Sequence, residues 1–182
     1  DAYDDHQLMY DCKAPVSVEY FSMCNRLVSR NVFERNVILP FEGVNMWDDV
    51  GLCTRVRFYT RGTAVINKGF YHYNRQNEQS TTRRPLLERA REQELCISCI
   101  EDFFRKEDSH DKYRLFLSYL RLVAAEDLFY YEPDIWRQKF EGLKDDLWKL
   151  RKLYTTKQLF KFYMLGCGGI IGKLVWKRFW KR

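Results

Sequence analysis

"FYMLGCGGIIG", residues 162–172, is an eleven-residue uncharged run between Lys161 and Lys173, and it holds four of the chain's nine glycines. Its reading decides the fold, because such a run is the centre of a membrane span, a helix for a protein core, or a loop. A spanning helix requires ~20 apolar residues, so the run by itself is too short. The flanks extend it. In one helix from about Thr156 to Trp180, Lys161 and Lys173 stand twelve residues apart, roughly 18 Å along the axis at about 1.5 Å per residue. Both side chains can snorkel toward the nearer headgroup layer, and a tilted or locally thinned bilayer covers the remainder.

The angular distribution of charge favours crossing over lying flat. At about 100° per residue, Lys157, Lys161, Lys173, Lys177, Arg178 and Lys181 surround the axis. An interfacial helix needs one polar face, whereas these cations separate by depth. Trp176 and Trp180 fall where an aromatic belt would lie, and Lys177, Arg178, Lys181 and Arg182 anchor the end beyond them. Gly168 and Gly172 form a G-x-x-x-G step, whose bare face lets another helix approach closely. The expectation is a C-terminal transmembrane helix with Gly168 and Gly172 at a helix-packing face.

Working outward, charge comes in blocks. Residues 1–54 carry nine acids against four bases, a net −5, and residues 55–91 carry two against nine, a net +7. Residues 92–146 return to −6, and residues 147–182 carry ten bases and no acid. Such segregation predicts distinct surroundings for the blocks, with the last one facing something anionic. Hydrophobic residues make up 46 % and charged residues 31 %, which excludes wholesale disorder and supports a packed core. Thirteen Phe, twelve Tyr and five Trp suit a chain that spends its surface on contacts. The polar start "DAYDDHQ" carries no signal-peptide pattern, and a removed targeting segment would account for a chain opening on Asp1.

The pattern upstream is mainly α. Residues 1–15 read as an extended acidic arm, and residues 16–30 as a short helix facing inward through Val18, Phe21, Leu27 and Val28. Pro40, Gly43 and Gly51 mark a loop. "TRVRFYTRGTAVINKGFYHYN", residues 54–74, is rich in β-branched and aromatic residues around Arg61-Gly62 and reads as a short β-hairpin. Thr82 and Pro85 open a helix whose inward positions are Leu86, Ala90, Ile97, Ile100 and Phe104. Ser109 caps a second helix carrying Tyr113, Phe116, Leu117, Leu120 and Val123. After Glu132-Pro133-Asp134 a third carries Ile135, Trp136, Phe140, Leu143, Leu147, Leu150 and Leu153, and Thr155 or Thr156 opens the last. Short connections favour antiparallel neighbours. The fold class is therefore a small helical bundle with an extended N-terminal region, a short hairpin and one C-terminal transmembrane helix. Its parts are an N-terminal contact region over 1–84, a helical region over 85–154 and a membrane helix with a basic end over 155–182.

Candidate chemistry is sparse. Cys96 and Cys99 have the C-x-x-C spacing of redox pairs and half zinc sites, but they sit inside a helical pattern with no second pair, so a structural role is expected. His6, His72 and His110 are dispersed, and Ser109-His110-Asp111 has the residue types of a triad without the spatial arrangement that defines one. No phosphate-binding glycine loop, H-E-x-x-H or nucleophile elbow occurs. No catalytic, cofactor-binding or metal-ligating residue is therefore assigned. The basic block interleaves Arg55, Arg57, Arg61, Lys68 and Arg75 with aromatic rings, as RNA binders do. Lys68-Gly69-Phe70 matches the start of one RNA-recognition motif, which then fails at Tyr71.

A small aromatic-rich helical chain with one short glycine-bearing span and basic ends resembles the accessory subunits of mitochondrial inner-membrane complexes, ATP synthase or the respiratory chain. The resemblance rests on residues 147–182 and carries over no functional residue. It implies a non-enzymatic, membrane-anchored subunit whose partners are other subunits and anionic lipid such as cardiolipin. The lipid would meet Lys157, Lys161, Lys173, Trp176, Lys177, Arg178, Trp180, Lys181 and Arg182. The competing readings are a mitochondrial ribosomal or other RNA-binding protein and a tail-anchored helical regulator.

Overall fold

The computed structural model describes residues 2–3, 21–24, 26–60, 62–64, 66, 68–69, 71, 86–131 and 133–167. Within them the chain is helical: α1 (Arg30–Asn36), α2 (Asp48–Tyr59), α3 (Leu86–Lys106), α4 (Arg114–Tyr131), α5 (Pro133–Lys149) and α6 (Thr156–Cys167), with a 3-10 turn at Arg151–Leu153. The only sheet among the described residues joins β1 (Ala2–Tyr3) to β2 (Thr63–Ala64), antiparallel, with Ala2 opposite Ala64.

The long helices form by the periodicity that predicts them. Ala90, Ile97, Ile100 and Phe104 of α3 and Phe116, Leu117 and Leu120 of α4 are buried, and α3 packs along α4, which packs along α5. Aromatic rings close the centre. Phe104 stacks on Tyr113 at 4.7 Å, Phe58 meets Phe103 edge-on at 5.1 Å, and Phe21 stacks on Phe116 at 5.8 Å. At the far end of α3, Asp108 takes the left-handed conformation (φ 51°) that short polar residues tolerate. Ser109 N then donates to Phe104 O at 2.8 Å, turning the chain into α4.

Three expectations upstream are corrected. Residues 54–59 lie in α2, where the hairpin was expected, and Val50, Gly51 and Cys53 to Arg57 are all buried, so the helix is enclosed on nearly every side. Asp48 and Asp49 in its first turn complement the positive helix end, and tertiary burial overrides the β-favouring composition. Gly51 belongs to this helix too, not to a loop: a Cβ there would stand 2.8 Å from the Phe41 ring. Lastly, residues 26–29 are irregular and Leu27 is fully exposed, so the inward helical face expected there stops short of it.

The transmembrane helix is also overturned. No helix of the described residues is long and apolar enough to cross a membrane. Within the described residues α6 covers twelve residues, about 18 Å of rise against the ~30 Å of hydrocarbon. The first residue of the opening run, Phe162, is only 1 % exposed and packs edge-on against Tyr154 at 5.2 Å. Leu159 and Tyr163 lean on the same core. The apolar side of α6 is thus used on protein. Its start is fixed as the sequence suggests, by a reciprocal capping box. Thr155 N donates to Gln158 Oε1 at 2.9 Å, and Gln158 N donates to Thr155 Oγ1 at 3.2 Å. Gly168, Gly172, Lys173, Trp176, Lys177, Arg178, Trp180, Lys181 and Arg182 lie outside the described residues, as do Thr82 and Pro85.

Candidate functional site

The thiols come first, because they are the reactive groups that the bundle gathers. Cys96 is fully buried on α3, and its Sγ donates to the Trp47 carbonyl at 3.2 Å. Burial, with a smaller push from Cys99, raises its pKa to about 12. Cys53 on α2 is buried beside Met23 Sδ at 3.4 Å, and burial raises it to about 11. Cys99 is half-buried and also raised, by burial first and Asp102 second. A thiolate is the nucleophile and the metal ligand, so these environments suppress that chemistry. No three His, Cys, Asp or Glu among the described residues are placed to hold a metal ion.

The charged groups build hubs between helices. Glu101 of α3 receives Arg121 of α4, Arg105 at 2.5 Å and His110 at 3.1 Å. Helix α4 begins at Arg114, so Ser109 does not cap it, and its Oγ donates to the Glu107 carbonyl at 2.9 Å rather than to His110. Asp146 of α5 is buried and accepts from Ser118 Oγ and Arg114 Nη2 of α4, each at 2.7 Å. These bonds pin α5 against α4. The Arg55 guanidinium stacks on the Phe41 ring at 3.8 Å while its Nε donates to Gly51 O at 3.0 Å. Burial lowers its pKa. Arg55 and Arg57 are both buried in α2, so two of the cations that suggested phosphate binding do not face solvent.

Several large apolar side chains stand on the outside among the charged ones. Trp148 is 59 % exposed at the end of α5, Leu153 39 % exposed in the 3-10 turn, and Phe160 52 % exposed on α6. The Arg151 guanidinium lies over the Trp148 ring at 4.6 Å, and its Nη1 donates to the Trp148 carbonyl at 2.7 Å. Lys149, Lys152 and Lys157 are exposed around them. Of the expected lipid-contact residues, Lys157 is the one the structure places here. Lys161 lies one turn further along α6, and its side chain is outside the description. Sequence reasoning placed Leu153 inward and passed over Trp148. The available signal was the position of Trp148 between the inward-facing Leu147 and Leu150, together with the absence of any acid after residue 146. Val37 and Leu39 make a second exposed apolar group after α1. Comparison with known protein families, with curated proteins and with solved structures gives no match, so no role is transferred from a relative.

Proposed function

We propose that this chain is a non-catalytic accessory subunit of a larger assembly, held there by protein contacts. Extending the resemblance noted from its sequence, we place that assembly among the mitochondrial inner-membrane complexes, ATP synthase or the respiratory chain. The observation that carries the reading is the set of large apolar side chains left in water, Trp148, Leu153 and Phe160 at one corner and Val37 and Leu39 at another. Large apolar side chains left exposed at the end of one helix and the start of the next suit an interaction site, and Trp and Arg are residue types enriched at such sites. The buried, proton-holding thiols support a structural over a reactive role. Anionic lipid such as cardiolipin is the partner proposed for the basic residues beyond 172, from their sequence.

Native-gel migration of the tagged protein, with mass spectrometry of its band, tests this. Stoichiometric co-migration with an inner-membrane complex is expected. A chain that runs alone, or with ribosomes, overturns the proposal.

A further inference from the structure

Helix α5 ends, turns through Arg151–Leu153 and re-enters as α6, and this corner combines three features. It exposes three large apolar side chains, Trp148, Leu153 and Phe160. It exposes Lys149, Lys152 and Lys157, with Arg151 stacked on Trp148. From Leu147 to Met164 the chain has no acidic residue. On α6, with Phe162 in the core, Phe160 stands about 160° round the axis and Lys157 about 140° round the other way at 100° per residue. Both therefore face away from the bundle, and half-buried Met164 lies between them in angle.

We propose that this corner docks an acidic amphipathic helix of a neighbouring subunit, an inference that rests on the accessory-subunit reading and names the partner's chemistry. The apolar stripe of such a helix covers Trp148, Leu153 and Phe160, and its carboxylates meet Arg151 and Lys152, Lys149 being already paired with Asp146 at 3.6 Å. Charge complementarity of this kind fixes register and excludes wrong partners. A Trp ring carrying a stacked Arg has the composition of an interface hot spot.

An anionic bilayer would also welcome cations and rings, but α5 argues against it. Glu141 and Asp145 are exposed, and they stand seven and three residues before Trp148. That spacing puts all three on one helix face. Glu141 is paired with Lys144 at 3.3 Å, but a flat anionic surface laid on Trp148 would still meet the Asp145 carboxylate, of its own sign. A helix crossing the corner avoids it.

The test uses the full chain in its native complex. The photo-cross-linker p-benzoylphenylalanine replaces Phe160 in one variant and Leu153 in another, and the cross-linked segment is sequenced by mass spectrometry. Cross-links to an acidic helical segment of another subunit are expected from both positions. Arg151→Glu with Lys152→Glu should lower their yield about tenfold, while Lys106→Glu, an exposed cation at the end of α3, should leave it unchanged. Far-ultraviolet circular dichroism checks that each variant is folded. Cross-links to lipid, to a second copy of this chain, or to a neutral or basic segment overturn the proposal, as does a yield indifferent to charge reversal. If the chain still enters the complex in those cases, the docking site fails and the accessory-subunit reading stands. A chain that migrates alone overturns both.

Discussion

Replacing Phe162 with alanine separates a helix that packs on protein from one that packs on lipid. The ring is 1 % exposed, so its transfer from water contributes about 1.5–3 kcal/mol. Its edge-on contact with Tyr154, at 5.2 Å between centroids, adds about 0.5–1.5 kcal/mol. Together they come to about 2–4.5 kcal/mol, overlapping the ~3–5 kcal/mol usual for Phe→Ala in a core. The lower end is expected here, because α6 follows a short 3-10 turn and can partly collapse onto the gap. Urea denaturation followed by circular dichroism should therefore register a loss of about 3 kcal/mol. Amide exchange should accelerate first in Leu159–Tyr163. Phe160→Ala, two residues away and half exposed, is the control and should stay within about 0.5 kcal/mol. Equal effects from the two substitutions would refute the packing of α6 described here.

Four further outcomes are expected. Asp146→Ala removes the acceptor of two 2.7 Å bonds and strands the buried Ser118 hydroxyl. A loss of about 2–4 kcal/mol in the same denaturation experiment is expected, and a cycle with Ser118→Ala should show the two are coupled. Gly51→Ala would gain about 1 kcal/mol of helix propensity, yet its Cβ meets the Phe41 ring at 2.8 Å; net destabilisation in urea is expected, and a gain would show that Phe41 moves freely. Val37→Gly relieves a mostly exposed β-branched residue at φ 50°, so stability in urea should rise by about 0.5–1 kcal/mol. Finally, the Cys53 and Cys96 thiols are raised from 9.0 to about 11 and about 12. The unfolded thiols ionise first, so the stability their protonated burial contributes is complete below pH ~9 and falls as pH climbs through ~9 to ~12. Alkaline denaturation curves measure this, and the double Cys→Ser variant should flatten them.

The long helices α3, α4 and α5 were legible because each repeats an apolar stripe over at least four turns, and such a stripe has few other uses. Helix α2 was not. It is buried nearly all round, with Thr54, Arg55 and Arg57 among the enclosed residues, so no one-sided apolar period marks it. Val56, Phe58 and Tyr59 give it the composition of a strand. Only the surroundings settle the matter: Phe41 needs the bare backbone of Gly51, and Phe58 needs the rings of Phe103 and Phe104. Neither requirement has a local signature. The start of α6 at Thr155 or Thr156 was readable for the opposite reason, since the bonds that fix it, between Thr155 and Gln158, lie within one turn.

The uncharged run that begins at Phe162 misled in a different way. Hydrocarbon and protein interior ask for the same side chains, so an apolar segment of about half a bilayer's thickness does not declare its solvent. What distinguishes the two is whether the apolar residues are used all round the helix or on one side. In α6 they divide. Phe162, Leu159 and Tyr163 turn to the bundle, whereas Phe160 stands in water with Lys157. A lipid-facing helix would gain from both phenylalanines alike. A helix docked on its own bundle needs only the first, and the second costs exposed apolar area unless something else covers it. The division of labour between Phe162 and Phe160 is therefore what ties the fold to the function proposed. One ring closes the core, and the other stays exposed, as the proposed docking of a neighbouring subunit requires.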